Sequence, residues 1–396
     1  MLRSIWRTEK AVCGRSYMHT DTIEWYRVRL QEKMSPKNAR SPCLKSISSS
    51  HATTRLFYVT LSHMHHEFFM RRCLELAEQG RWHTGINPLV GSVLVRDGNC
   101  VAEGWHAGFG QDHAERMLIK KFDQQIDPGD TLYVNLEPCC HEGKTPPCTD
   151  IIIESGIRNI VYGMRDPNPS VAGKGIERLR EEGISVVGPL LPELCRRLNK
   201  GYVSLKEQGR PFITMKKAQL RSGEISNPDG SPLKITSPKQ DEWSHTHFRA
   251  KHDAILVGSQ TVRTDNPHLN VRYTNKKVAQ TSAQSIRLIL NSMFNISLDS
   301  NVLNDEAASR TILITSPDSS CAYEGEILER GVRILRIPIL DGVFDWNSLW
   351  CMLTTPDEDF YGISSILVEG GRKTWDIFTS SGFVDEEVLL ISKCPS

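Results

Sequence analysis

The amino-acid sequence predicts an α/β protein of two domains, and three observations carry that reading. At 396 residues the chain exceeds what one ordinary hydrophobic core holds. Two successive series of short apolar runs alternate with helical patterns, as expected for sheets covered by helices. Between them, 190–211 is a helical pattern stopped by Gly209 and Pro211, which suits a connector. The expected organisation is a leader over 1–62, a first domain over 63–189, a linker over 190–210 and a second domain over 211–396.

In the leader, basic residues such as Arg3, Arg7, Lys10 and Arg15 far outnumber acidic ones, and no period persists. It reads as disordered, or as sequence upstream of the true start, with an Arg- and Ser-rich targeting peptide as the alternative. From residue 66, "EFFMRRCLELAEQG" places Phe69, Cys73, Leu74 and Ala77 near helical spacing and stops at Gly80. "VGSVLVRDGNCVAEGWH" reads as two strands around an Asp97-Gly98 turn. "DHAERMLIKKF" is a helix, "DTLYVNLEP" a strand, "TDIIIESG" a helix and "IRNIVYGMRDP" a strand; "GKGIERLREEGISVVG" adds one more of each. Past the connector, "PFITMKKAQ", "DAILVGSQTV", "IRLILNS", "RTILITS", "VRILRIP" and "SSILVEGG" have the short continuous apolar character of buried strands.

Hydrophobic content of 39% and charged content of 24% are those of a folded chain. A formal net charge of +1 gives no global reason to expect nucleic acid or an anionic membrane as partner. No apolar run approaches the roughly 20 residues that span a bilayer. A soluble, cytoplasmic protein is expected, with organellar import through the basic leader as the alternative. Eleven cysteines are spread thinly over the chain, which favours a reducing compartment. There, a tight Cys/His cluster points to a metal or a catalytic group before a disulfide.

One such cluster is "LEPCCHEGKTPPC", and its partners lie in "HAERML". His113 and Glu115 are two apart where a helix is expected to start, and Cys148 opens the next helix. One imidazole (His113) and two thiolates (Cys139, Cys148) leave a fourth tetrahedral zinc position open, as in catalytic sites. Water bound there becomes a nucleophile near neutral pH. Glu115, not needed as a ligand, can shuttle the proton to a leaving amine. The alternatives are a closed zinc knuckle with Cys140 or His141 as fourth ligand, and a disulfide. The knuckle would leave Glu115 without a role. Cys73, Cys100 and Cys195 fall in helix or strand patterns and read as small buried apolar residues.

The set resembles the zinc-dependent nucleobase deaminases, whose signature is H-x-E followed by P-C-x-x-C. Here the second cysteine follows after eight residues. "PCCHEGKTPPC" is similar instead to the long-spaced C-x-H-x-G-x-T-P-P-C of the deaminase domain of riboflavin biosynthesis. "NPLVGSVLV", "HAE", "LEPC" and "DPNPSVAGKG" agree with that family from Glu67 to about Gly188. The resemblance implies a cytidine-deaminase-like three-layer domain with His113, Cys139 and Cys148 on one zinc ion and Glu115 as proton shuttle. It also implies Asn87 in the pyrimidine pocket and His141 at the substrate or ordering its loop. Serine is usual at the Cys140 position, so Cys140 is expected not to bind metal.

The second domain has no G-x-G-x-x-G, and the Gly pair of "LVEGGRKTWDIF" is by itself only a possible phosphate site at a helix N-terminus. "RPFITMKKA", "ITSP", "FRAKHDAILVGSQTVRTDNPHLNVR", "IRLILNS" and "ILVEGG" stand in the order of the reductase domain of the same pathway, which has a dihydrofolate-reductase-like fold and uses NADPH. That resemblance implies Ala218, Thr261, Asp265, Ser292 and the segment from Gly371 near the nucleotide. It implies Arg249, Leu269, Arg272 and Glu369 near a pyrimidine ribosyl phosphate substrate. Two arginines suit a sugar phosphate, because a guanidinium grips phosphate oxygens in pairs. Three departures stand out: Ser222 where an aspartate is usual, Lys234 where an aromatic residue is common, and an end at "VDEEVLLISKCPS" where relatives continue.

The expectation is a bifunctional enzyme that deaminates the pyrimidine and then reduces ribosyl to ribityl with NADPH, acting as a homo-oligomer as relatives commonly do. The nearest alternative is a deaminase with an impaired reductase. A nucleic-acid-editing deaminase would call for stacking aromatics, and the 7% aromatic content offers no support for it. A zinc-stabilised binding module is the non-enzymatic alternative.

Overall fold

The computed structural model describes residues 16–20, 23–30, 65–143, 145–169, 171–227, 231, 233–273 and 284–392, with the backbone alone described in 16–30. The chain divides into two compact units. One comprises 34–209 together with Glu358–Tyr361, and the other Met1–Lys33, Arg210–Asp357 and Gly362–Ser396.

The first unit is built on a five-stranded sheet. Helix α1 (65–77) leads into β3 (Gly91–Arg96) and β4 (Asn99–Trp105), an antiparallel hairpin. Its turn is the one the sequence predicts: Asp97 and Gly98 both have positive φ, 49° and 75°, as a two-residue hairpin with right-handed strands needs. Then follow α2 (Ala114–Lys121), β5 (Thr131–Leu136), α3 (Cys148–Ser155), β6 (Asn159–Met164), α4 (Lys174–Glu181) and β7 (Ser185–Val187). The strand order is β4-β3-β5-β6-β7, with β5, β6 and β7 parallel. Val93 and Val95 cluster with Phe69, Met70 and Cys73 of α1, whereas Leu94 and Leu132 cluster with Leu118, Ile152 and Leu179 of the other helices. The sheet is therefore the middle of three layers. Each of these buried aliphatic side chains contributes about 1.5–3 kcal/mol.

The segment read as a connector is two helices, α5 (Pro192–Leu198) and α6 (Lys200–Gln208), whose Cys195, Tyr202 and Val203 are buried in the same core. Asn199 between them gives its side chain to Leu89, accepting from its N–H at 2.7 Å and donating to its carbonyl at 3.0 Å. This stretch is packed structure, not a free linker. Cys73 and Cys195 are buried as expected, but Cys100 is exposed because it falls on the outer side of the edge strand β4.

The second unit holds a nine-stranded sheet. Its strands are β8 (Phe212–Leu220), β9 (Ala254–Gly258), β10 (Ile286–Leu290), β11 (Thr311–Thr315), β12 (Arg333–Arg336), β15 (Ser365–Val368) and β16 (Glu386–Ser392), with β1 (Ser16–Thr20) and β2 (Ile23–Leu30). The order is β1-β2-β16-β8-β15-β9-β10-β11-β12. From β16 to β12 every neighbouring pair is parallel. All six strand-like runs of the sequence lie in this sheet. A small hairpin, β13 (Ile339–Leu340) with β14 (Val343–Phe344), stands apart from it. Helices α7 (Pro238–His247), α8 (Ser259–Asp265), α9 (Asn301–Asn304), α10 (Glu324–Glu329), α11 (Trp346–Thr354) and α12 (Arg372–Ser381) join the strands.

Within the segment read as a disordered or targeting-like leader, β1 and β2 form a hairpin, and β2 pairs antiparallel with β16, Val28 opposite Val388. The rest of 1–62 lies outside the described residues. Among those described, no helix is long and apolar enough to cross a membrane.

Candidate active sites

In the five-stranded unit the cluster forms where two strand-to-helix connections, β4 to α2 and β5 to α3, converge. His113 has extended dihedrals and caps α2, Cys139 lies just past the end of β5, and Cys148 begins α3. His113 Nδ1 is 3.5 Å from Cys139 Sγ and 3.3 Å from Cys148 Sγ, and the three donor atoms lie within 4.8 Å of one another. The Cys148 backbone N–H points at Cys139 Sγ at 3.3 Å. Hydrogen bonds from the Cys148 thiol and from His113 hold the Cys139 thiol down at about 4, against the pull of burial. That is the chemistry of a soft, thiolate-bearing donor set, and it fits zinc with three protein ligands. Cys140 is half-buried, His141 is exposed, and neither belongs to the donor group.

Glu115 sits in the first turn of α2, 3% exposed, and is not one of the three donors. Burial raises its carboxyl to about 7, helped by the charge of Cys139. A carboxyl poised there exchanges protons readily near neutral pH. Asn87 reaches the same centre through His106: Asn87 Nδ2 donates to His106 Nε2 at 3.2 Å, and the His106 ring stands edge-on to His113 with centroids 5.4 Å apart. His106 Nδ1 bonds the carbonyl of Asp112 at 3.1 Å, which leaves Nε2 free to accept.

Glu137, one residue before Pro138 and Cys139, is buried among backbone donors. Its carboxylate accepts from the N–H groups of Asp166 (3.2 Å), Gly173 (3.0 Å), Gly175 (3.1 Å) and Ile176 (3.4 Å). It therefore caps α4 from outside and fixes the cysteine loop to the 166–176 loop.

In the nine-stranded unit Thr261, Asp265, Ser292, Glu369 and Gly371 follow the carboxyl ends of β9, β10 and β15, where α/β sheets bind ligands, whereas Ala218 lies within β8 and Arg249 precedes β9. Glu369, just past β15, is buried and takes Arg249 in a two-pronged pair, Nε at 3.3 Å and Nη2 at 2.6 Å, with Lys216 Nζ at 3.2 Å. These cations hold its carboxyl far below the usual range despite burial. Arg249 is thus engaged by Glu369 and by the Asn270 carbonyl at 2.9 Å, and does not stand free to clamp phosphate. Arg272 is exposed; its N–H donates to His245 Nδ1 at 3.0 Å. Leu269 is buried with a φ of 48°.

On the cofactor side, Gly370 has a φ of 115°, and a Cβ there would meet Thr261 Oγ1 at 3.0 Å. Gly371 caps α12 with open space above it. This backbone cradle at a helix N-terminus fits the phosphates of a nucleotide. Ser292 lies two residues past the end of β10, next to the exposed Met293, and Ala218 lies half-buried on β8. Asp265 ends α8 on the surface. Ser222 bonds Glu224, and Lys234 is exposed.

Sequence reasoning missed His106, Glu137, Lys216 and His245. Each sits in an ordinary strand or helix pattern, and nothing local separates it from a structural residue. Sequence reasoning also passed over the S-x-x-Q of Ser237 to Gln240, a capping box whose two hydrogen bonds form at the start of α7.

Comparison with known proteins bears on both sites. Residues 63–164 match the family described as "Cytidine and deoxycytidylate deaminase zinc-binding region", and residues 211–392 the "RibD C-terminal domain". The chain is 39% identical to "Riboflavin biosynthesis protein RibD" of Aquifex aeolicus over 82% of this chain and 86% of that protein. It is 34% identical to the Escherichia coli protein of the same name over 83% and 88%. Among solved structures, a Thermotoga maritima diaminohydroxyphosphoribosylaminopyrimidine deaminase/5-amino-6-(5-phosphoribosylamino)uracil reductase superposes with a TM-score of 0.66 at 36% identity, covering 81% of this chain and 85% of that one. Acinetobacter baumannii RibD, form 2, superposes with a TM-score of 0.70 at 29% identity over 85% and 88%.

Proposed function

Because the chain belongs to the family of riboflavin biosynthesis protein RibD, with a deaminase and a reductase domain in one enzyme, we propose how its own residues divide the work. The five-stranded unit hydrolytically deaminates 2,5-diamino-6-ribosylamino-4(3H)-pyrimidinone 5′-phosphate. The nine-stranded unit then reduces the ribosyl side chain of the product to ribityl. The single observation that carries the assignment is the His113–Cys139–Cys148 group with Glu115 in the adjoining helical turn.

His113, Cys139 and Cys148 would hold one zinc ion, which when bound supplies an activated water as nucleophile. Glu115 takes a proton from that water as it attacks the amine-bearing ring carbon and passes it to the departing nitrogen. The C–N bond breaks, ammonia leaves and a ring carbonyl remains. Asn87, steadied by His106, presents its amide to the pyrimidine edge. His141, exposed on the cysteine loop, would contact the substrate or order that loop.

In the reductase, NADPH when bound would supply the hydride that reduces C1′ of the opened sugar. Thr261, Gly371 and the start of α12 would hold the nucleotide phosphates, with Ala218, Asp265 and Ser292 along the rest of it. Glu369, fixed by Arg249 and Lys216, faces the substrate, and Leu269 and Arg272 border it. The enzyme is read as cytoplasmic and homo-oligomeric, with no nucleic acid or membrane as partner.

Incubating purified protein with the pathway substrate, with and without NADPH, tests this reading. Deaminated product without NADPH and ribityl product with it are expected. Protein that binds no zinc, or that leaves the amine in place, would sink the deaminase assignment.

A further inference from the structure

Four residues from far along the chain belong to the compact five-stranded unit: Glu358–Tyr361. Tyr361 meets that unit at three points on two loops. Its carbonyl accepts the N–H of Ile86 at 3.0 Å. The same carbonyl lies so close to Gly85 that a Cβ there would come within 2.1 Å of it, and Gly85 has a φ of 58°. Its ring stacks on Phe109 with centroids 5.0 Å apart and planes 15° from parallel.

Those two loops carry the polar residues that border the zinc donors. Gly85 and Ile86 immediately precede Asn87. Phe109 follows three residues after His106, whose ring abuts His113. The loops are joined at two further places, Phe109 N–H to His83 O at 2.9 Å and Asn87 to His106 at 3.2 Å. Each loop is irregular backbone with local hydrogen bonds of its own, such as Asn87 N–H to Thr84 O and Gln111 N–H to Gly108 O, and the spacing between the two depends on contacts such as these.

We propose that Tyr361 is a positioning residue for deamination, a strut that sets the spacing of the Asn87 and His106 loops and so the fit of the pyrimidine against the metal centre. This rests on the deaminase reading given above. Tyr361 touches neither the donors nor Glu115, so its loss acts on substrate fit and leaves metal binding alone.

The test compares Tyr361→Ala, Phe109→Ala, the double variant and Tyr361→Phe in the full-length chain. For Tyr361→Ala, KM for deamination should rise about three- to tenfold, the usual worth of a stacked aromatic pair. Its kcat should stay within about twofold, its zinc content should be unchanged, and Tyr361→Phe should restore KM. The double variant should be no worse than either single one, because both remove one contact. Hydrogen–deuterium exchange gives a readout that needs no turnover: the Ile86 and Phe109 amides should exchange faster in Tyr361→Ala. Unchanged KM with unchanged exchange, or additive effects in the double variant, would overturn the strut. A wild type that turns over no pyrimidine would overturn the functional reading, while the exchange comparison still decides whether Tyr361 holds the loops.

Discussion

The clearest division of labour at the scale of single residues is between the three donors and Glu115. The four come from the start of α2 and from the β5–α3 connection, yet of them only Glu115 is buried without belonging to the donor group. Glu115→Gln keeps the shape of the side chain and removes its proton traffic. It should retain zinc by metal analysis while deamination falls by a factor of about 10²–10⁴. Retention of full turnover would remove Glu115 from the mechanism. His245 offers a second test, on stability. Burial, then the Arg249 and Arg272 charges, lower its pKa from 6.5 to about 3, with Glu369 opposing. Between those pH values the unfolded chain carries a proton that the folded one does not, so stability falls as pH drops from about 6.5 toward 3. His245→Gln should flatten that fall. Urea midpoints at pH 7.5 and 4.5 measure it, and an unchanged difference between them would exclude His245 as a source.

At the scale of elements, the His113–Cys139–Cys148 donor group was legible because its chemistry is local: a histidine at a helix start and cysteines around prolines mark themselves. So were the Asp97-Gly98 hairpin and the six apolar strands of the larger sheet. What the sequence left hidden depends on pairing between distant segments. Nothing in "SSILVEGG" says that β15 lies between β8 and β9, and nothing in "LEPC" says that Glu137 reaches the start of α4. The connector reads differently in the structure for the same reason, since its apolar residues find partners in a core drawn from segments between Phe69 and Ile176. Glu137→Ala would strip four backbone N–H groups of their acceptor. It should cost about 3 kcal/mol of stability in chemical unfolding, with Glu137→Gln costing less because one oxygen remains. Equal losses for the two variants would mean that the carboxylate is not what holds the loop.

At the scale of the molecule, two chemistries share one chain without sharing a sheet. β16 is flanked by β8 on one side and by the β1–β2 hairpin on the other. Without that hairpin it would present an open row of backbone donors and acceptors, a template for other strands. A chain lacking residues 1–33 should self-associate through the reductase unit and melt earlier there, while zinc content and deamination stay intact. Light scattering and differential scanning fluorimetry separate the two outcomes. A monodisperse truncated protein with unchanged melting would show that the hairpin is dispensable.

The placing of β8 also orders events in time. Its neighbours β15 and β16 come from 365–368 and 386–392, so the middle of the large sheet must wait for segments made long after β8 itself. Such distant pairing is slow, because long loops close before any contact rewards them. The five-stranded unit, nearly continuous over 34–209, can collapse on the ribosome meanwhile. Only Glu358–Tyr361 reaches it late. A newborn chain would therefore hold metal early, and its grip on the pyrimidine would mature only after residues 358–361 have been made.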